Sequence, residues 1–251
     1  MLVKDVAICL ARRDYSETSQ IVTAFTRQNG KISGIAKGSR RPRSKFSGGI
    51  ELLSAGQLVF SPGRGNTGLL TLAEWTPHNS YQGLRRSIGQ LNTAYYLAEL
   101  VGLFTEELDP HEQIYDLICQ ALEGLCSGRR WIDLLSFQVS LLREVGLWPD
   151  LTQCARCSKV APPGSGAYLS STESGLLCRK CADGVQDKIR VYRQGLQVVR
   201  SITEDSTAHA QSWRPEPEDL PRTAARQAQQ FLAYWIRSAL NREPRTAGLL
   251  G

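Results

Sequence analysis

Hydrophobic and polar positions alternate in short stretches over the first 80 residues. A period of two is typical of β-strands, because successive side chains point to opposite faces of a sheet. Strands are predicted over residues 6–10, 21–25, 31–37, 50–60 and 69–75. Asn29-Gly30 favours a tight turn with positive φ, so the second and third strands should form a hairpin. Five short strands with glycines where a small barrel must bend favour an OB-fold over a sandwich.

From about residue 84 the apolar positions recur with a helical period instead. Helices are predicted over residues 84–104, 110–125, 131–145, 192–202 and 224–240. Their apolar stripes are interpreted first as core and only second as binding surfaces, because apolar helical periodicity chiefly reports packing.

Two CxxC motifs lie twenty residues apart, and their cysteines are Cys154, Cys157, Cys178 and Cys181. A CxxC turn directs two sulfurs to one side of a tight loop, so two such turns supply the four ligands of a tetrahedral Zn²⁺ site. All four positions are filled by sulfur, which leaves none for water or substrate and predicts one structural zinc per chain. The stretch Val160–Tyr168 is polar, so metal binding is expected to supply most of the folding energy of this insert.

Together these patterns predict an α+β multidomain protein, in which an N-terminal OB-fold β-barrel is followed by a helical domain with a four-cysteine zinc-binding insert. The predicted boundaries are residues 1–80 for the barrel, 81–149 for the first part of the helical domain, 150–185 for the insert and 186–251 for the C-terminal part. The sequence contains no apolar run near eighteen residues and no signal-peptide pattern, so a cytoplasmic location is expected.

Charge is distributed unevenly along the chain, which carries 30 Lys and Arg against 24 Asp and Glu. Residues 1–80 hold eleven of the cations and five of the acids, whereas the rest of the chain is balanced. Segment 31–49 contains no acid and six cations, which are Lys31, Lys37, Arg40, Arg41, Arg43 and Lys45. This pattern predicts an anionic partner, of which nucleic acid is the commonest, although a merely solvated loop would carry the same charges.

Hydroxyl and aromatic side chains accompany these cations. Ser39, Ser44 and Ser47 are candidates for additional phosphate contacts. Phe46 offers a ring on which a base could stack, or else an anchor that holds the segment to the barrel. The sequence leaves these two roles for Phe46 open.

Motifs of enzyme chemistry are not found in the sequence. The three histidines stand in unrelated contexts, and the chain contains no P-loop, GxSxG or HExxH motif. A binding protein is therefore favoured over an enzyme.

Several of these stretches, in this order, resemble the RecO family of bacterial recombination-mediator and DNA-repair proteins. The resemblance rests on Asn29–Lys31, Ile35–Phe46, Leu141–Pro149 and the four cysteines with Gly175–Cys178. It implies binding of single- and double-stranded DNA, annealing of complementary strands, and cooperation with RecR to load RecA onto DNA coated with SSB. It also implies that the six cations belong to the DNA-binding surface, that the cysteines hold zinc, that the SSB C-terminal tail is a partner, and that the protein works at the nucleoid.

Two alternatives remain at this point. One is a zinc-ribbon protein that binds RNA or serves transcription, because the same loop would suit RNA. The other is a nucleic-acid-modifying enzyme that uses the zinc element for docking, although the clustered carboxylates or activated nucleophile of such an enzyme are not evident.

Overall fold

A computed structural model describes residues 2–46, 48–64, 68–160, 167–205 and 220–250. Its residue contacts divide the chain into two compact units. The first unit is Met1–Ser127 with Gly248–Gly251, and the second is Gly128–Ala247. The first two long helices therefore group with the barrel, whereas the sequence assigned residues 81–149 to one helical domain.

Within the described residues, five strands close a barrel in the order β1-β2-β3-β5-β4. Their bounds are β1 (Val3–Asp14), β2 (Gln20–Thr26), β3 (Gly30–Ala36), β4 (Ala55–Arg64) and β5 (Leu70–Asn79). Neighbouring strands are antiparallel except β3 and β5, whose parallel pairing closes the barrel. The predicted N-terminal OB-fold barrel is confirmed.

The β2–β3 hairpin forms where Asn29-Gly30 predicts it, with Thr26 paired to Gly30. Gly30 has a φ of 69°, and a Cβ at this position would lie 2.1 Å from the carbonyl oxygen of Asp109. Glycine is thus required both for the turn and for the close approach of the chain that precedes the second helix.

Helices complete the first unit: a short 3-10 helix (Gln82–Arg86), α1 (Ile88–Phe104) and α2 (Glu112–Cys126). Arg27, which follows β2, donates two hydrogen bonds of 3.0 Å to the Asp116 carboxylate. The same guanidinium lies 2.7 Å from Glu112. This charged contact joins the end of the β2 strand to the first turns of α2.

The second unit combines helices with a small sheet. Its elements are α3 (Arg130–Glu144), β6 (Ala167–Ser170), β7 (Gly175–Leu177), α4 (Arg179–Ala182), β8 (Ile189–Val191), α5 (Arg193–Asp205) and α6 (Arg222–Leu240). The α6 helix packs on both α3 and α5, and Trp235 on α6 donates a 2.7 Å hydrogen bond to the Leu147 carbonyl. In the described part of the chain, no helix is long and apolar enough to cross a membrane.

The three short strands form an antiparallel sheet in the order β7-β6-β8. They were not predicted from the sequence, because runs of three or four residues are too short to show a period. The sheet extends past residue 185, where the sequence placed the end of the insert, since β8 pairs with β6.

Candidate metal centre and nucleic-acid interface

The four predicted metal ligands come together in the second unit. One sulfur from each of Cys154, Cys157, Cys178 and Cys181 lies within 4.8 Å of all the others. Cys157 Sγ and Cys178 Sγ, one from each motif, are 3.9 Å apart. Sulfurs bound tetrahedrally at about 2.3 Å from a metal would be separated by about 3.8 Å. The side chains present therefore match a tetrahedral four-sulfur metal site.

Backbone hydrogen bonds shape both halves of the site. In the first motif, Ser158 N–H donates to the Cys154 carbonyl at 2.8 Å, and Cys154 N–H donates to the Lys159 carbonyl at 2.9 Å. In the second, Ala182 N–H donates to the Cys178 carbonyl at 2.9 Å. Cys178 N–H also lies 3.4 Å from Cys154 Sγ and so links the two motifs.

Backbone N–H groups favour the thiolate forms of Cys154 and Cys178. Burial opposes ionisation of Cys154, but the backbone N–H groups of Cys178, Cys157 and Arg156 outweigh it and lower the pKa to about 6. A hydrogen bond from the Cys181 N–H likewise lowers the pKa of Cys178. Hydrogen bonding to neighbouring sulfurs, first that of Cys178, raises the pKa of Cys181 to about 12. Protons and a divalent cation therefore compete for the same four sulfurs.

A small apolar cluster lies beside the metal centre, and the expectation that metal binding supplies most of the folding energy of the insert stays a prediction. Cys154, Leu177, Ala182 and Val185 are buried together, with Tyr168 packed against them. Of the polar stretch Val160–Tyr168, residues 161–166 lie outside the described part of the structure. Cys154 thus belongs to a small apolar cluster, and Cys178 and Cys181 pack against it.

An ion pair braces the outside of the metal centre. The Arg156 guanidinium donates to both oxygens of Glu173, at 2.9 and 2.6 Å, and also reaches the Cys181 carbonyl at 3.4 Å. A two-pronged contact of this kind fixes the orientation of the arginine beside the sulfurs.

In the first unit the predicted cationic segment lies mostly between β3 and β4, and residues 37–49 are called the basic loop. Gln20, fully buried at the start of β2, holds this loop in place. Its Oε1 accepts from Ser39 Oγ at 3.0 Å and from Ile50 N–H at 2.9 Å, and its Nε2 donates to the Ile50 carbonyl at 3.3 Å. Gly49, with a φ of 124°, passes so close that a Cβ would lie 3.1 Å from Gln20 Oε1. One amide therefore holds both ends of the basic loop.

Phe46 is an anchor of the basic loop. Its side chain is 4% exposed and belongs to the barrel core with Ile50 and Trp75. Beside it, Trp75 N–H donates a 2.9 Å hydrogen bond to the Lys45 carbonyl. The ring is not available to a base, so the structure decides between the two roles that the sequence left open.

Five of the six predicted cations are exposed on the basic loop: Lys37, Arg40, Arg41, Arg43 and Lys45. Arg40 forms an ion pair with Asp14 at the end of β1. Within the described residues, no carboxylate pairs with the other four. Among the described residues, their charge therefore has no direct ion-pair partner.

Lys31 lies apart from this group, and its predicted part in DNA binding stays a prediction. Its ammonium donates to the Gly102 carbonyl at 2.6 Å and to the Thr105 carbonyl. Burial lowers the pKa of Lys31, opposed by the nearby Glu106 and Glu107. An ammonium on the last carbonyls of α1 is well placed for the helix dipole, so Lys31 attaches this helix to the barrel.

The serine side chains predicted to contact phosphate are also occupied where they are described. Ser39 Oγ bonds to Gln20, and Ser44 Oγ donates to the Ser39 carbonyl at 2.7 Å. Ser47 lies outside the described residues. The two described hydroxyls thus shape the basic loop.

Comparison with known proteins decides the family. Residues 1–81 match the family described as Recombination protein O N terminal, and residues 85–247 match Recombination protein O C terminal. The chain belongs to the RecO family. A DNA repair protein RecO from Anaeromyxobacter sp. (strain K) is 32% identical over 245 residues, which cover 96% of this chain and 92% of that protein. The DNA repair protein RecO of Bacillus subtilis (strain 168) is 30% identical over 202 residues, or 80% and 76% of the two chains.

RecO membership confirms the resemblance seen in the motifs, and the chain is a DNA repair protein of that family. The sequence did not indicate the role of Gln20, although a signal was present. A lone amide at the start of an apolar strand must find buried partners, and here they are the two ends of the basic loop. Which segment supplies those partners depends on tertiary structure.

The anchoring role of Phe46 in this RecO protein leads to a stability prediction. Phe46→Ala should lower the free energy of unfolding of the barrel by about 3–5 kcal/mol, because it removes a buried ring and leaves a cavity. Phe46→Leu, the control, keeps most of the volume and should cost less than about 1.5 kcal/mol. Urea titration followed by circular dichroism measures both. Wild-type stability in Phe46→Ala, combined with weaker DNA binding, would restore the stacking role.

Proposed function

We propose that this RecO-family chain binds single- and double-stranded DNA through the basic loop and anneals complementary strands. We further propose that it acts with RecR to help load RecA onto single strands coated with SSB. The observation that carries the proposal is the group of exposed cations Lys37, Arg40, Arg41, Arg43 and Lys45 on one anchored loop. Lys31 is left out, because its ammonium is engaged by the carbonyls of α1.

Two features of the basic loop support this proposal: its positive charge and the contacts that anchor it to the barrel. Ammonium and guanidinium groups release counterions when they neutralise phosphates, and this sequence-independent effect supplies most of non-specific affinity. A loop held at both ends by Gln20 and by Phe46 presents its charges without first being ordered on binding. Two strands screened on such a surface repel each other less, which favours annealing.

The metal centre has a structural role in the proposal. Four thiolates in a tetrahedral arrangement suit Zn²⁺, and a site with four protein ligands has no open position for catalysis. Cys154, Cys157, Cys178 and Cys181 would hold one Zn²⁺ per chain and join the two CxxC turns. The protein would thus act without catalysis, in the cytoplasm at the nucleoid, with RecR and the SSB C-terminal tail as partners.

Competition between nucleic acids tests this function. A fluorescent 30-nucleotide DNA strand bound by the protein is displaced with unlabelled DNA or with RNA of the same sequence, and annealing to the complementary strand is followed by energy transfer. DNA should compete at least as well as RNA, the annealing rate should rise with protein, and the strands should stay intact with Mg²⁺. Stronger competition by RNA would favour an RNA-binding protein, and cleavage of the strands would reveal an enzyme.

A further inference from the structure

Tyr15 is an exposed aromatic residue outside the basic loop, and the proposed function gives it no role. It follows β1 in the turn to β2 and is 58% exposed. Among the described residues of the first unit it is the only exposed Phe, Tyr or Trp side chain. Its backbone is fixed, since Tyr15 N–H donates to the Ser19 carbonyl at 3.0 Å. The ring therefore stands in solvent on an ordered turn.

This turn is fastened to the basic loop by three contacts. Arg40 N–H donates to the Thr18 carbonyl at 3.1 Å, and Gly38 N–H donates to Ser19 Oγ at 3.1 Å. The Arg40 guanidinium pairs with the carboxylate of Asp14, the residue directly before Tyr15. The backbone that carries the ring is consequently held next to the basic loop.

The turn and the basic loop differ in charge. The turn carries Asp14 and Glu17, and Arg40 offsets the first of them. It is thus a poor place for phosphate, whereas the basic loop is a good one. An apolar ring beside a cationic loop suits a ligand with an anionic backbone and flat, uncharged faces. Single-stranded nucleic acid has this chemistry, and proteins that bind it combine a cationic track with aromatic side chains under the bases.

We propose that Tyr15 stacks on an unpaired base of single-stranded DNA whose phosphates lie on the basic loop. This inference rests on the proposed function and adds a source of preference for single strands. Phosphate contacts are available from a duplex as well, but a base offers its full face only when it is unpaired. The turn between the first two strands is also a nucleic-acid contact in OB-folds generally.

Three ligands of equal length test the role of Tyr15 in the full-length chain: a thymidine single strand, an abasic strand with the same phosphates, and a duplex. Tyr15→Ala should weaken binding of the thymidine strand by about 5- to 150-fold, since stacking on one base contributes that much to affinity. Binding of the abasic strand and of the duplex should not change. Tyr15→Phe keeps the ring and should bind all three ligands like the wild type.

Wild-type affinity of Tyr15→Ala for the thymidine strand, or an equal loss on the abasic strand, would overturn the inference. The proposed function fails separately, if the wild type itself shows no salt-dependent binding to DNA. Thermal unfolding of both variants checks folding, and an exposed side chain should leave the midpoint unchanged.

Discussion

Replacing Cys178 by serine is expected to abolish tight metal binding and to loosen the CxxC insert while the barrel stays folded. A serine hydroxyl does not ionise near neutral pH, so the site would retain three thiolates. Loss of an outer-shell partner alone weakens metal binding by roughly 10- to 100-fold, and loss of a ligand should exceed that. Structural zinc contributes on the order of 10 kcal/mol to folding, so the insert should open. No barrel strand includes a metal ligand.

Metal analysis and limited proteolysis measure this result. The wild type prepared with zinc should contain one Zn²⁺ per chain, and Cys178→Ser should contain far less and be cleaved preferentially within residues 150–185. Cys126→Ser is the matched control, because Cys126 belongs to α2 in the first unit and is not part of the cluster. It should keep its metal. A metal-free wild type, or cleavage of Cys178→Ser that is spread evenly over the barrel, would contradict the structural role.

Periodicity was sufficient to predict the barrel and the long helices, because each has an extended apolar face that must be buried. The four sulfurs were predictable from spacing alone, since a CxxC turn fixes two ligands locally. The sheet that includes β8 was not, because Ile189–Val191 is too short to show a pattern. Its place in the sheet depends on its pairing with β6.

Tertiary contacts decide which of the candidate functional side chains are exposed and which are engaged by the fold. Lys31 and Lys37 look alike in the sequence, yet one binds the carbonyls of α1 and the other is exposed. Phe46 lies among cations in the sequence, but its ring points into the barrel. Tyr15 lies between two acidic residues in the sequence, and its ring is exposed. Composition located the charge correctly and could not show which rings and which amines were free.

A charge-removing variant of the basic loop is expected to lose most of the salt dependence of DNA binding. Arg41→Ala, Arg43→Ala and Lys45→Ala, made together, remove three exposed cations without a carboxylate partner in the described residues. Arg40 is kept, because it also fastens the β1–β2 turn through Asp14. Each lost contact should reduce the slope of log K against log salt by about 0.7 for single strands, or about 2 in total. Folding should be unaffected, since these side chains are exposed.

The control retains charge: Arg41→Lys, Arg43→Lys and Lys45→Arg in one chain. It should show the wild-type slope, because counterion release depends on the number of phosphates neutralised. If the loop is merely solvated, the alanine variant should show the wild-type slope too. If the loop binds phosphate, only the charge-retaining variant should show it, because both variants change the shape of the side chains but only the alanine variant removes charge.

The salt dependence of single-strand binding is the most direct measurement of whether the basic loop is the DNA surface. With five loop cations in contact, the wild-type slope should be about −3.5, and affinity should fall about 100-fold between 50 and 200 mM salt. The alanine variant should show a slope of about −1.4 and lose only about 7-fold over the same range. Equal slopes for the two proteins would mean that the loop is solvated and that DNA is bound elsewhere.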